Sequence, residues 1–264
     1  MQQRHTNRQQ YFLEQEITTR KFVFPFIEKH QPITAGLRIL EIGCGEGGNL
    51  KPFLDAGCQV TGIDLSEHKI SLARTFFQDH PRSDRLQLLC EDIYQSELPQ
   101  DPYDVVIMRD VIEHIHDQER FMAFVKPYMR QSALFFLAFP PWQNPFGGHQ
   151  QICRNKITGH LPWIHLLPMQ IYRGLLRISG ESEATVENLM EVKETGISIE
   201  RFERIIKNQA YRIVSKKHFL INPNYEVKFG FRPVAQAAWI SAISGIRNLF
   251  TTSAYYLLSP GAAD

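Results

Sequence analysis

The chain has 264 residues, of which 29 are lysine or arginine and 28 are aspartate or glutamate, so the net charge is +1. Hydrophobic residues make up 43% of the sequence and charged residues 22%, values that exclude a disordered chain and allow a large core. The balanced charge gives no global basic field, so nucleic acid is not an expected partner.

The predicted elements alternate between helix and strand. Residues 1–34 carry apolar side chains at helical spacing and predict one or two helices that cover the domain. Five predicted strands then follow at 37–42, 59–64, 86–92, 103–110 and 133–141. Helices are predicted between them at 49–57, 66–80 and 118–129, and Ser66 is a suitable N-cap for the second. Alternation of this kind is typical of a parallel sheet with helices on both faces.

The alternation stops after the fifth strand. Residues 141–194 begin rich in tryptophan, histidine and proline and continue as helical patterns, which indicates an inserted segment. The remaining predicted elements are a helix at 197–209, strands at 211–221 and 251–258, and a loop at 222–234. The expected fold is one α/β domain over 1–264, with a doubly wound, seven-stranded, mostly parallel sheet and a helical insertion after the fifth strand.

The inserted segment has two compatible interpretations. Its large apolar and polar side chains flank a Gly147-Gly148 pair and are Trp142, Phe146, Trp163, Leu166, Asn144, His149, Gln150 and Arg154. As a lid hinged at the glycine pair, the segment would exclude water and offer polar contacts to a ligand beyond the fifth strand. As a satellite hydrophobic cluster, it would pack the insertion, and both interpretations can hold at once.

Other features bear on the compartment. The stretch 235–258 reaches membrane-spanning length, but Arg247 and Asn248 interrupt it, so we expect an amphipathic helix and then a buried strand. Membrane contact would then be at most peripheral. The N-terminus has no apolar segment of the secretory type. The four cysteines form no CxxC pair and are expected to be reduced thiols of a cytoplasmic protein.

The stretch LRILEIGCGEGGNL, residues 37–50, connects a predicted strand to a helix through a loop with four glycines. Gly43, Gly45 and Gly48 fit the GxGxxG pattern of dinucleotide sites, whereas Gly43, Gly45 and Gly47 fit GxGxG. Glycine lets a backbone approach a ligand closely and adopt positive φ angles. The loop therefore predicts a nucleotide-containing ligand without identifying it, and a tight turn with no ligand is the alternative for any single glycine.

Acidic residues at strand ends narrow the choice of ligand. Glu41 precedes the first glycine by two residues, where a pyrophosphate would be repelled and an ammonium group attracted. Asp64 ends the second strand and can accept hydrogen bonds from ribose hydroxyls, although it could also cap the next helix. Asp92, after the third strand, could accept from the amine of adenine while Ile93 packs on the ring, or could be a plain loop acid. The sequence RDVIEHIHD, residues 109–117, places a polar cluster at the same edge.

The stretches LEIGCGEGG, GIDLS, CEDI and YDVVIMRDVIEHIHD resemble, in order and spacing, the class I S-adenosylmethionine-dependent methyltransferases. The resemblance is strong over 37–140 and moderate over the helix at 197–209 and the last two strands, and it implies an antiparallel last strand. It implies S-adenosylmethionine as cofactor and S-adenosylhomocysteine as product. By this resemblance, Glu41, Gly43, Gly45 and the backbone of 108–109, which includes Arg109, surround the methionine part, Asp64 holds the ribose, and Asp92 and Ile93 hold adenine. The other expected cofactor-binding residues are Cys44, Asn49 and Leu65. By the same resemblance, Tyr11 in the N-terminal helix closes the cofactor side.

Transfer of an activated sulfonium methyl is an in-line displacement that chiefly requires alignment of the nucleophile. A general base is needed when that nucleophile is a hydroxyl or a protonated amine. His114 is the preferred base, although it could instead orient the following helix. The other catalytic candidates are Asp110, His149, His116 and Glu113, of which Glu113 could equally be structural. No metal site is expected, because His114 and His116 are two residues apart and the histidines of the insertion lack partners at ligand spacing.

The expected acceptor is a small molecule, with O-methylation favoured. The aromatic insertion and the apolar C-terminal region favour an amphipathic or apolar acceptor, such as a lipid-linked compound. A sugar acceptor is a remaining alternative. The NPPY-type step of many N-methylating nucleic-acid enzymes is absent after the fourth strand. The alternatives are a non-catalytic binding protein that keeps the cofactor fold as a scaffold, and an NAD-dependent oxidoreductase, which Glu41 opposes.

Overall fold

A computed structural model describes residues 7–261; residues 1–6 of the predicted N-terminal cover and residues 262–264 lie outside the described residues. Its strands are β1 (Arg38–Ile42), β2 (Gln59–Asp64), β3 (Leu86–Cys90), β4 (Tyr103–Arg109), β5 (Met129–Phe139), β6 (Tyr211–Ile221), β7 (Val234–Ala235) and β8 (Ser253–Pro260). They form one sheet in the order β3-β2-β1-β4-β5-β8-β6-β7. Strands β1 to β5 pair in parallel, and β8 lies antiparallel between β5 and β6. The predicted α/β fold with an antiparallel last strand is confirmed.

The helices are α1 (Arg8–Thr18), α2 (Phe24–Glu28), α3 (Lys51–Asp55), α4 (Glu67–Phe77), α5 (Gln118–Val125), α6 (Lys156–His160), α7 (Met169–Ile178), α8 (Glu183–Thr195), α9 (Ile199–Asn208), α10 (Asn224–Phe229), α11 (Ala238–Ser241) and α12 (Ile246–Leu249). A π-helical turn, Thr19–Val23, joins α1 to α2. Ser66 caps α4 as predicted, because its side chain accepts a hydrogen bond from the Lys69 N–H at 3.4 Å.

The sheet is covered on both faces. Side chains that alternate along β1 and β4 enter two hydrophobic cores, one containing Leu40 and Val106 and the other containing Ile39 and Val105. Burial on both faces explains why the strands read as nearly continuous apolar runs.

The region between β6 and β8 differs from the prediction. The sequence predicts a loop over 222–234, whereas the structure forms α10 there and then the two-residue strand β7, which adds an eighth strand to the predicted seven. Neither element is visible in the sequence pattern. The apolar residues of this region are isolated among polar ones, and β7 is too short to show a period-two pattern. The change matters for function, since α10 faces the main cavity through Asn224 and Lys228.

The C-terminal apolar stretch contains two short helices, α11 and α12, before β8. Arg247 is buried within it, and its guanidinium donates to Glu200 at 2.8 Å and to Glu203 at 2.9 Å. The predicted amphipathic helix is therefore interrupted, and the predicted buried strand is present as β8. Over residues 7–261, no helix combines the length and hydropathy needed to cross a membrane.

The inserted segment packs on itself. Its helices α7 and α8 build a third hydrophobic cluster with Tyr172, Leu176, Val186 and Leu189. A Cβ added at Gly148 would lie 2.2 Å from the Cβ of His165, and one added at Gly147 would lie 2.3 Å from the Trp142 carbonyl oxygen. These glycines allow close packing, which does not support the predicted hinge.

Candidate cofactor and acceptor site

A cavity of about 680 Å³ opens at the carboxyl ends of β1, β2 and β4, beneath α1 and α10. This position is where open α/β sheets bind ligands, and the volume is within the range of small-molecule sites, roughly 300–1,000 Å³. Most of the predicted site residues line it, namely Tyr11, Gly43, Gly45, Asn49, Asp64, Leu65, Asp92, Ile93, Arg109, Asp110 and His114. Three do not: Glu41, Cys44 and His149.

Positive φ angles define the conformation of the glycine loop. Gly43, Gly45 and Gly47 all have positive φ angles, at 73°, 55° and 83°. A Cβ at Gly43 would lie 2.5 Å from a methyl of Val111, whereas a Cβ at Gly45 would meet only the Lys69 side chain, at 3.9 Å. Gly45 therefore presents bare backbone to the cavity, the surface that a closely approaching ligand needs.

Gly48, the last glycine of the GxGxxG interpretation, has a different role. A Cβ at this position would lie 2.3 Å from the carbonyl oxygen of Phe12 in α1. Its missing side chain lets the N-terminal helix pack on the loop. The structure thus favours GxGxG over the dinucleotide pattern.

Asp64 holds the glycine loop and the start of α4 together. Its Oδ2 accepts a hydrogen bond from the Gly45 N–H, and its Oδ1 accepts one from the Ser66 N–H, both at 2.9 Å. Each carboxylate oxygen can accept a further hydrogen bond, and the residue lines the cavity. Ser66 rather than Asp64 is the N-cap of α4, so the capping alternative for Asp64 is wrong. The remaining acceptor capacity of Asp64 allows a ribose-binding role.

The acids after β3 are also held by the backbone and by neighbouring hydroxyls. Asp92 Oδ1 accepts from the Tyr94 N–H at 3.0 Å, and Glu91 Oε1 accepts from Ser96 Oγ at 2.6 Å. Ile93 is buried beside them and forms part of the cavity wall. An aromatic base placed at this end would meet one apolar side chain and two fixed carboxylates.

A hydrogen-bonded network fixes the opposite wall. Arg109 donates to Asn49 Oδ1 at 2.7 Å, to Asn224 Oδ1 at 2.7 Å and to Thr19 Oγ1 at 3.2 Å. Arg109 is buried, so these three neutral acceptors replace its hydration. The sequence did not reveal Thr19 or Asn224 as site residues, because they reach Arg109 from distant helical segments.

Glu41 lies beneath the cavity rather than on its wall. Its Oε1 accepts from Asn49 Nδ2 at 2.7 Å, and its Oε2 is buried without a hydrogen-bond partner among the described residues. Burial raises the pKa of Glu41 to about 8, against the lowering effects of Asn49 and Arg109. The visible contact of Glu41 is with Asn49, which it orients, and the expected ammonium contact stays a prediction. Cys44, also assigned to the cofactor, is buried with its sulfur directed towards the Gly45 carbonyl at 3.7 Å.

The raised pKa of Glu41 predicts a pH-dependent stability. Between its ordinary pKa and about 8, the folded protein holds a proton that the unfolded chain has lost, so stability falls as pH rises. We expect Glu41→Gln to remove this fall, which amounts to about 3 kcal/mol between pH 5 and pH 8. Urea unfolding of both proteins at the two pH values measures it. Equal pH dependence in both would contradict the assignment.

Asp110 and His114 follow β4 at the acceptor side of the cavity. Asp110 has a φ of 54° and is exposed, and the conformation turns the chain sharply away from the sheet. Partial desolvation lowers the pKa of His114, while the charge of Asp110 opposes that shift. His114 is therefore neutral at pH 7 and able to accept a proton or to donate a lone pair.

His149 stands behind His114 rather than on the cavity wall. The two imidazole rings meet edge to face with centroids 5.2 Å apart. Burial lowers the pKa of His149 to about 4, and the neighbouring His114 and His165 add to this effect. Its predicted contact with the acceptor is not supported in this structure.

Glu113, for which the sequence allows a catalytic or a structural role, is buried at this end of the site. It is 2% exposed, and neither carboxylate oxygen has a hydrogen-bond partner among the described residues. Burial, the main cause, and the charge of Asp110, the second, raise the pKa of the Glu113 carboxyl well above the usual range. An unsatisfied buried carboxyl group is costly, so a group of this kind indicates a functional position.

The other predicted acceptor contacts of the insertion do not line the cavity. The side-chain amides of Asn144 and Gln150 donate hydrogen bonds to the carbonyls of Pro141 and Pro145. Trp142 packs on His165 with ring centroids 4.6 Å apart. These residues close the insertion on itself. The satellite cluster is present, and the segment also meets the acceptor side through His149, which packs on His114.

Comparison with known proteins agrees with this geometry. A family model described as a methyltransferase domain matches residues 8–166, more than half of the chain. Ubiquinone biosynthesis O-methyltransferases from Rhizobium leguminosarum bv. trifolii and Rhodopseudomonas palustris are each 34% identical, over 105 and 104 residues. Each alignment covers 39% of this chain and 40% of the relative, so the chain matches less than half of their length.

Solved structures share the fold at low identity. Phosphoethanolamine N-methyltransferase 2 of Haemonchus contortus, in complex with S-adenosylmethionine, has a TM-score of 0.56 at 14% identity, covering 90% of this chain and 52% of that one. Geranyl diphosphate C-methyltransferase of Streptomyces coelicolor A3(2) has a TM-score of 0.55 at 14% identity, covering 90% and 78%. The chain belongs to the methyltransferase domain family and is a member of the class I S-adenosylmethionine-dependent methyltransferases.

Proposed function

We propose that the protein transfers a methyl group from S-adenosylmethionine to a hydroxyl oxygen of a small-molecule acceptor. The observation that carries this proposal is one cavity with two chemically different ends. Asp64 and Asp92 stand at one end with fixed carboxylates, and Asp110 and His114 stand at the other. Such a site can hold a nucleoside at one end and a proton-losing nucleophile at the other.

The residues present fit the cofactor. We assign the ribose hydroxyls to Asp64 with Leu65 beside them, and the adenine to Asp92 and Ile93. We assign the methionine part to the bare backbone of Gly43 and Gly45 and to the Asn49 and Arg109 network, with Glu41 and Cys44 acting from beneath. The cofactor supplies a methyl group on a positively charged sulfur, and the chain supplies alignment and exclusion of water.

The named relatives bear on the acceptor class. The relatives with 34% identity are named O-methyltransferases of ubiquinone biosynthesis, which favours methylation of an oxygen. We propose an apolar or amphipathic acceptor, and lipid-linked compounds and sugars stay in the test panel. We also propose a single domain with an N-terminal helical cover and an inserted segment at 141–194, in the cytoplasm. A non-catalytic binding protein with the same fold is the alternative.

An acceptor screen tests the proposal. The protein would be incubated with S-adenosylmethionine carrying a labelled methyl group and with matched phenols, alcohols, amines and thiols. Transfer to hydroxyl compounds, with formation of S-adenosylhomocysteine, is the expected result. Transfer only to amines would contradict O-methylation. Binding of the cofactor with no transfer to any compound class would favour the non-catalytic alternative.

Tyr11 offers a test of the N-terminal cover. It extends from α1 into the cavity wall, where burial raises its pKa to about 12. We expect Tyr11→Ala to weaken S-adenosylhomocysteine binding by more than about tenfold, because the cavity loses an aromatic wall. Leu13→Ala, on the exposed side of the same helix, is the control. Calorimetric titration of both variants would decide, and an unchanged dissociation constant for Tyr11→Ala would remove this role.

A further inference from the structure

The side chains behind the acceptor end of the cavity form an unusual cluster. Glu113, His114 and His149 each offer one ligand atom, and these atoms all lie within 4.8 Å of one another. Glu113 Oε1 and His149 Nε2 are 4.0 Å apart. Ligand atoms around a tetrahedral zinc ion, with bonds of about 2.1 Å, lie about 3.4 Å apart. Small rotations of the side chains would therefore bring the three atoms to metal-binding distance.

The backbone holds this cluster in place. Glu113 and His114 lie in the short helical turn Ile112–His114, whose backbone carbonyls accept from Gln118 Nε2 at 3.0 Å and from Thr195 Oγ1 at 2.5 Å. His149 sits on a loop residue with a φ of 55°. The positions come from two loops, after β4 and after β5, that converge at one sheet edge.

The buried carboxylate of Glu113 points to a missing positive partner. Both of its oxygens lack hydrogen-bond partners among the described residues, although the side chain is almost entirely buried. Protonation alone would not satisfy the group, because a neutral carboxyl still carries a hydroxyl donor and a carbonyl acceptor. A cation bound between Glu113 and the two imidazoles would satisfy it and remove the cost of burial.

We propose that Glu113, His114 and His149 bind a divalent transition-metal ion, for which Zn²⁺ is the appropriate probe. Two imidazole nitrogens and one carboxylate oxygen suit zinc and its neighbours, whereas Mg²⁺ prefers all-oxygen ligands. His114 lines the cavity, so an ion bound by this cluster would lie beside the acceptor end. Sequence spacing missed this set, because His149 is far from the other two along the chain.

The inference rests on the proposed function where it concerns the acceptor. An acceptor hydroxyl with a second oxygen beside it could occupy two open positions of the ion, which would lower the pKa of that hydroxyl. Its proton would pass to the exposed Asp110 carboxylate, and the oxygen would form a bond to the methyl carbon. The carbon–sulfur bond breaks, and its electron pair stays on sulfur in S-adenosylhomocysteine. His114 then acts as a ligand rather than as the base, and the acceptor class narrows to vicinal diols and catechol-like compounds.

The test is calorimetric titration of Zn²⁺ into the chelator-treated, desalted full chain. We expect one site per chain for Zn²⁺ and none for Mg²⁺. Glu113→Gln and His149→Ala should each weaken Zn²⁺ binding by about 100-fold or more, since each removes one of three ligands. His116→Ala is the matched control, because His116 is exposed and lies outside the cluster, and it should bind Zn²⁺ like the wild type.

S-adenosylhomocysteine binding by the same variants separates the two claims. Intact cofactor binding in Glu113→Gln and His149→Ala would show that the fold and the cofactor site survive. No Zn²⁺ binding by the wild type, or a Zn²⁺ site that persists in both variants, would overturn the metal inference while leaving the proposed function standing. Zn²⁺ binding that depends on these residues without any cofactor binding would support the metal site and count against the proposed function.

Discussion

We expect Asp64→Ala to weaken S-adenosylhomocysteine binding by about 100-fold to 1,000-fold, an effect near 3–4 kcal/mol. Two losses combine in this variant. The ribose loses a charged acceptor for its hydroxyls, and such charge-assisted hydrogen bonds are worth about 1.5–3 kcal/mol each. The glycine loop also loses the carboxylate that holds the Gly45 N–H at 2.9 Å. The dissociation constant would be measured by calorimetry and the fold checked by thermal unfolding.

Two further variants sharpen this prediction. Asp64→Asn keeps one acceptor oxygen and should give a smaller loss of affinity than Asp64→Ala. Glu67→Ala removes an exposed carboxylate three residues along the chain and outside the cavity, so its affinity should equal that of the wild type. Wild-type affinity in a well-folded Asp64→Ala protein would contradict the ribose assignment.

The second large effect concerns turnover rather than affinity. Once an acceptor is identified, we expect His114→Ala to lower kcat by about 100-fold or more, the usual scale for loss of a group that assists proton removal. The dissociation constant of S-adenosylhomocysteine should change little, because His114 stands at the acceptor end of the cavity. His116→Ala, two residues away and exposed, is the control. Turnover of His114→Ala at the wild-type rate would remove His114 from the reaction.

The strands, and the strand ends that carry the site, are well predicted from the sequence for a physical reason. Strands buried on both faces need apolar runs, and ligand-binding groups collect where parallel strands end. Asp64, Asp92 and Asp110 therefore fall at recognisable positions after such runs. Glycines with positive φ are equally visible, because few other residues adopt that conformation at low cost.

Contacts between distant segments could not be predicted in this way. Asn224 reaches Arg109 from a helix that the sequence pattern presents as a loop, and His149 meets Glu113 across two loops. Spacing along the chain carries no information on either pair. The inserted tryptophans were misleading for a related reason. Trp142 packs on His165 within the insertion and Trp163 is 41% exposed, and neither lines the cavity.

The central claim is that the cavity holds S-adenosylmethionine or its product, and calorimetric titration of S-adenosylhomocysteine into the purified protein, with NAD as control, tests it most directly. We expect micromolar binding of S-adenosylhomocysteine at one site per chain and no binding of NAD. Binding of NAD in preference to S-adenosylhomocysteine, or binding of neither ligand, would contradict the assignment of this cavity to the cofactor.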